Sequence, residues 1–135
     1  MLSRRQRFDT YRALINEATS RPFEYGTNDC VLLVARAVER LTGIDHTPEF
    51  MPYTKREALR LVRESGGLVK FISQFLGDHE TDIDKIRVCD PVVVMGPGQS
   101  AGAGLWSGAG VVCLGLNGHA LLVQNCYIDG FWRVG

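Results

Sequence analysis

The sequence predicts an α+β domain in which N-terminal helices pack on a small antiparallel sheet. Two observations carry that reading. Through about residue 77, apolar residues recur at helical spacing. From about residue 86 onward they gather in short β-type runs bounded by Gly, Pro and Asn. Helices first and strands afterwards is the order of an α+β domain, not of alternating βα units. A third observation sets the scale. The 135 residues, 45% hydrophobic and 22% charged, suit one domain with one core.

The elements follow in order. Phe8, Tyr11, Leu14, Ile15 and Ala18 mark a first helix that Pro22 ends. A second helix is expected from about Asp29 to Thr42, with Gly43 as its stop. Val31, Leu32, Val34, Ala35, Val38 and Leu41 make it mostly apolar, so it should be the buried central helix. A loop carrying Pro48 and Pro52 follows. Thr54-Lys55-Arg56-Glu57 has the capping-box pattern and opens a third helix to about Glu64. Gly66 and Gly67 break it, and Leu68 to Leu76 form a short fourth helix ended by Gly77.

The β half contains Val92–Met95, Val111–Leu114, Ala120–Val123 and a last run at Phe131–Val134. Between the first two lies Gly96 to Gly110, rich in Gly, Ala and Ser and carrying Trp106. It reads as a long flexible connection. No internal repeat is present.

Charge narrows the function classes. Fifteen Lys and Arg balance fifteen Asp and Glu, so no global field draws nucleic acid or anionic lipid. Arg4, Arg5, Arg7, Arg12 and Arg21 against Asp9 and Glu17 make the first 21 residues mildly basic, which reads as a solvated helix face rather than a binding patch. No run approaches the ~20 apolar residues of a membrane span. No apolar stretch follows the N-terminal arginines as in a secretory signal, so a cytoplasmic place of synthesis is expected. Cys30, Cys89, Cys113 and Cys126 show neither CxxC pairing nor His/Cys ligand spacing, so no metal, cofactor or disulfide framework is expected.

Cys30 is the residue that points to chemistry. Asn28-Asp29 supplies a helix start, and the thiol falls in the first turn of the apolar second helix. There the aligned peptide dipoles favour thiolate over thiol, which is how a nucleophilic cysteine is prepared. Two readings stand: a nucleophile, or a small apolar side chain packed at the start of a central helix. Asp29 caps the helix or contacts a ligand. Tyr25 and Phe23 either pack the entry loop or meet substrate. Trp106 is an interface anchor or folds back on the core. Cys89, Cys113 and Cys126 read as core or strand cysteines.

Phe23-x-Tyr25-Gly26 before Asp29-Cys30 resembles the nucleophile segment of the NlpC-type cysteine peptidases. These form a papain-like superfamily that cleaves peptidoglycan stem peptides. Arg87-Val88-Cys89-Asp90-Pro91-Val92-Val93 resembles their Arg-Gly-Asp-Val-Val stretch, with Cys89 in place of the glycine and Pro91 in place of a valine. Ala109-Gly110-Val111-Val112-Cys113-Leu114-Gly115 matches the strand that normally opens with the catalytic histidine, and the histidine position falls on Ala109. The layout is most similar to a histidine-lacking branch encoded in phage and prophage tail-gene clusters. The ending Phe131-Trp132-Arg133-Val134-Gly135 fits that branch.

The resemblance implies a papain-like NlpC-type domain and two alternative roles. One is a virion structural protein at the tail tip or baseplate hub, assembled in the host cytoplasm and touching hub and tape-measure proteins. The other is an active endopeptidase acting on peptidoglycan, with Cys30 as nucleophile and His119 as a displaced base. His119 otherwise reads as a turn residue after Asn117-Gly118, and His46 and His79 read as surface residues.

Overall fold

The computed structural model describes residues 2–49, 54–95, 101–124 and 127–135. Pro52, the first five residues of the Gly-rich stretch and Cys126 lie outside the described residues. The domain is α+β, as the patterning predicts, with helices α1 (Arg4–Thr19), α2 (Cys30–Thr42), α3 (Lys55–Ser65) and α4 (Leu68–Leu76). Strands β1 (Pro91–Met95), β2 (Ala101–Trp106), β3 (Val111–Leu114), β4 (Ala120–Val123) and β5 (Tyr127–Phe131) follow. They form one antiparallel sheet in the order β4-β3-β2-β1-β5.

Local chemistry explains the helix ends. Ser3 and Gln6 form a reciprocal capping box at the start of α1. Asp29 caps α2, and Gly43 closes it at φ +82°, a left-handed conformation that glycine adopts without a Cβ penalty. Thr54 caps α3, accepting from the Glu57 N–H at 3.2 Å.

The helices cover one face of the sheet. Leu32, Val34, Ala35 and Val38 of α2 and Phe71 and Ile72 of α4 pack on Val93 and Ala103, with Trp132 and Val134 of the C-terminal tail. Leu14 and Ala18 of α1 meet Leu33, Ala37, Leu105 and Leu114 beside them. On the opposite face Val92, Val94, Val111 and Phe131 form a smaller cluster with Trp106 and Cys113.

Three expectations are corrected. Residues 101–106 of the Gly-rich stretch are not a flexible connection but β2, hydrogen-bonded to both β1 and β3. A side chain at Gly104 would run into the Val112 carbonyl and the Cys113 sulfur, so this strand needs glycine where it meets β3. The last strand ends at Phe131 rather than spanning Phe131–Val134, and Trp132 turns inward so that its indole N–H donates to the Gly77 carbonyl at 3.0 Å.

Arg7 does not belong to a solvated face. It is 3% exposed. Its guanidinium donates to the Val88 carbonyl (2.9 Å), the Val134 carbonyl (2.7 Å) and the Asp90 carboxylate (2.6 Å). Asp90, 0% exposed, also accepts from the N–H groups of Arg87 (2.8 Å) and Val134 (3.1 Å). Burial raises the Asp90 carboxyl above its ordinary range, while those N–H groups and the guanidiniums of Arg7 and Arg87 oppose the rise. This knot ties α1, the start of β1 and the C-terminal tail together.

Candidate functional site

Cys30 begins α2 and sits against the middle of the sheet. Positioning starts in the entry loop. Glu24 and Asn28 close a small backbone bridge. The Asn28 side chain, 2% exposed, donates to the Ala18 carbonyl (2.9 Å) and the Pro22 carbonyl (3.1 Å), fixing the end of α1 to the start of α2. Asp29 accepts from the Leu32 N–H at 2.9 Å and the Gly26 N–H at 2.8 Å. Both carboxylate oxygens are thereby committed to the backbone, which makes Asp29 a cap and loop clamp. Arg36 reinforces the same loop by donating to the Thr27 carbonyl at 2.8 Å.

Tyr25 is brought to the thiol. Its ring packs edge-on against Phe23 at 5.0 Å. Burial raises its hydroxyl, with further contributions from the neighbouring Cys30 and Asp29. Tyr25, Asp29 and Cys30 therefore form one cluster.

The electrostatics of Cys30 differ from expectation. Its pKa lies above the ordinary thiol value, chiefly because burial penalises the charged form. The Asp29 charge adds to that penalty. The backbone N–H groups of Ala103, Cys30 and Val31 work in the other direction. The helix start is thus present and favours thiolate, but desolvation outweighs it.

The histidines lie elsewhere. His119 is exposed in the turn before β4; its backbone N–H donates to the Asn117 side chain at 3.0 Å, and its carbonyl accepts from Gly115 at 2.9 Å. Strand β4 is the sheet edge, with β3 between it and β2. His46 is half-buried beside Phe75, with ring centroids 6.0 Å apart, and 3.6 Å from Glu49. His79 lies over Gly130 and Trp132. Among the described residues, no hydrogen bond or ring contact joins an imidazole to Cys30.

The strand that follows β1 in the chain is β2, and it brings Ala103 close enough to Cys30 for its backbone N–H to favour the thiolate. Ala109 is exposed in the β2–β3 turn, where its N–H donates to the Ser107 hydroxyl at 3.2 Å. Trp106 ends β2 on the face away from α2, in the cluster with Val92 and Val111. It does not join the Cys30 cluster.

Cys89 is buried in the core and Cys113 half-buried beside it, and Cys89 carries a feature that sequence patterning hides. Its φ is +75°, the one positive φ at a non-glycine residue among those described. The same position holds glycine in the Arg-Gly-Asp-Val-Val pattern noted above. Burial pushes its thiol up to about 12. Among the described residues, no group of three or more His, Cys, Asp or Glu side chains is assembled as metal ligands would be.

These features define an α+β domain with a half-buried thiol in the first turn of its central helix. A family model described as a domain of unknown function, DUF6950, matches residues 3–134. The chain belongs to that family. No curated protein matches it.

Proposed function

We propose that this protein is a structural component of a phage tail, at the tail tip or baseplate hub, built on a catalytically degenerate NlpC-like cysteine peptidase framework. The observation that carries this reading is the surroundings of Cys30. The thiol occupies a nucleophile's place at a helix start, yet Ala103 is the sheet residue close to it and its pKa lies on the protonated side. A cysteine–histidine mechanism needs an imidazole both to take the thiol proton and to return one to the leaving amine. Alanine does neither. The phage setting rests on the resemblance and is an analogy of fold and motif order.

A docking role has further support on the surface. Among the described residues strand β4 is an outer strand of the sheet, with exposed Leu121 and Leu122 and with exposed Leu116 in the turn before it. Apolar edges of this kind are usually covered by a partner. Mass spectrometry of purified tails, together with co-expression of hub and tape-measure proteins from the same gene cluster, tests the reading. Incorporation into tails and co-elution with either protein are expected. Absence from tails, with no association in co-expression, refutes the reading.

A second reading, a cysteine endopeptidase opening peptidoglycan during DNA entry, is favoured by one observation. The backbone N–H groups of Cys30, Val31 and Ala103 lie near the thiol and favour its thiolate, the nucleophilic form. Muropeptide cleavage by the parent protein against Cys30→Ala decides it. Equal product from both removes Cys30 from any mechanism.

A further inference from the structure

The start of α1 borders two adjoining clefts of about 380 and 560 Å³ that share Arg4 and Gly108. Arg4, Arg5 and Arg87 supply the charge, Phe8 and Trp106 the apolar surface, and no carboxylate lines either cleft. Arg4 and Arg5 are exposed, and among the described residues neither has an acidic partner. Phe8 is 40% exposed, although it lies on a helix that packs against the core.

The chain carries the complement of this surface. Residues 78–84, Asp-His-Glu-Thr-Asp-Ile-Asp, hold four carboxylates around Ile83, which is 45% exposed. Among the described residues Asp78, Asp82 and Asp84 have no basic partner. This segment leads through Lys85 into Ile86 and Arg87, which line the cleft. The basic cleft and the acidic segment are thus joined through a short stretch of chain, and such a pair is complementary to itself across a two-fold axis.

We propose that two copies of this chain associate about a two-fold axis, each placing its acidic 78–84 segment against the Arg4–Arg5–Arg87 cleft of the other. Ile83 then covers the apolar floor made by Phe8 and Trp106. A partner of this composition suits the cleft better than nucleic acid does. The chain has no net charge to draw a polyanion, and the basic surface is confined to a few guanidiniums. The association is independent of how Cys30 is read.

Sedimentation equilibrium of the full chain tests it. The parent protein should form a dimer that weakens about tenfold when ionic strength is raised from about 0.05 M to about 0.5 M. Arg4→Glu/Arg5→Glu and Asp78→Lys/Asp84→Lys change exposed side chains only, and thermal melting confirms that each variant is folded. Each variant alone should be monomeric. Mixed together they should dimerise, because both contacts of the mixed pair are then between opposite charges.

A parent that stays monomeric at low salt overturns the proposal. So does a dimer that neither variant weakens, or a mixture that remains monomeric. Two further probes address other occupants: a Glu- and Leu-containing peptide and a single-stranded oligonucleotide. A monomeric parent that binds either one, with binding lost in Arg4→Glu/Arg5→Glu, assigns the cleft to that class of partner instead.

Discussion

Asp29-Cys30 and Cys89-Asp90 are the same two residue types in opposite order, and the fold gives them opposite work. Asp29 spends its carboxylate on the Leu32 and Gly26 N–H groups and meets no cation within salt-bridge distance among the described residues. Asp90 takes two backbone N–H groups and the Arg7 guanidinium, with a second guanidinium from Arg87 at 3.5 Å. Cys30 has the helix start and the nearby N–H groups of a reactive thiol. Cys89 has a left-handed backbone and a nearby arginine. Burial raises both thiols. The comparison teaches that desolvation, set by tertiary packing, decides thiol chemistry here more than position on an element does.

The largest way to break the contrast is at the charged knot. Asp90→Ala leaves Arg7 buried without its carboxylate and should cost about 3–5 kcal/mol in urea unfolding. Glu17→Ala, which breaks the exposed pair with Arg40, should cost no more than about 1 kcal/mol. Equal losses would mean that the knot is not what joins α1 to the C-terminal tail.

Next comes the strand that faces the thiol. Gly104→Ala forces a methyl into the Val112 carbonyl and should cost about 1–3 kcal/mol or more by the same measurement. A neutral effect would remove the close β2–β3 approach from the account.

Cys89 offers a finer test. Cys89→Ala keeps a Cβ at positive φ and loses the sulfur. Cys89→Gly loses more atoms but relieves the backbone. The glycine variant should therefore be more stable than the alanine variant by about 1 kcal/mol. The reverse order would argue against strain at this position.

The smallest effect is on pH dependence. In the fold the Cys89 thiol stays protonated up to about 12, whereas in the unfolded chain it ionises near about 8.5. The unfolded state loses its proton first, so this contribution to stability is complete below that pH and is lost as pH rises toward about 12. Between neutral pH and about pH 9 the parent should lose roughly 0.8 kcal/mol more than Cys89→Ala does. Parallel stability curves would contradict the buried thiol.

Much of this architecture was legible in the chain. The four helices announce themselves through apolar spacing and through Asp29, Thr54, Gly43 and Gly77 at or beside their ends, where caps and left-handed turns have definite chemistry. Strand β2 was not legible, because Ala-Gly-Ala-Gly offers no β-branched residue. Its glycine at 104 answers a neighbour's carbonyl rather than a local turn. Arg7 read as solvent-facing because its charge outweighed its place, seven residues before Leu14 on the same buried stripe as Ala18.

At the candidate site, Cys30, Tyr25 and Asp29 were readable as neighbours in sequence. Their decisive partner, Ala103, comes from a distant strand. The helix-start argument for the thiolate was sound as far as it went, and what overrode it was burial, which only the assembled core creates.

The central claim is that Cys30 keeps a nucleophile's position but lacks its activation. The most direct measurement is the rate of Cys30 alkylation by iodoacetamide against pH, followed by mass spectrometry of the peptide containing Cys30, in the parent and in His119→Ala. The account predicts a half-maximal rate above the ordinary thiol pKa and superimposable profiles for the two proteins. A reactive plateau reached at or below neutral pH and abolished by His119→Ala would contradict it.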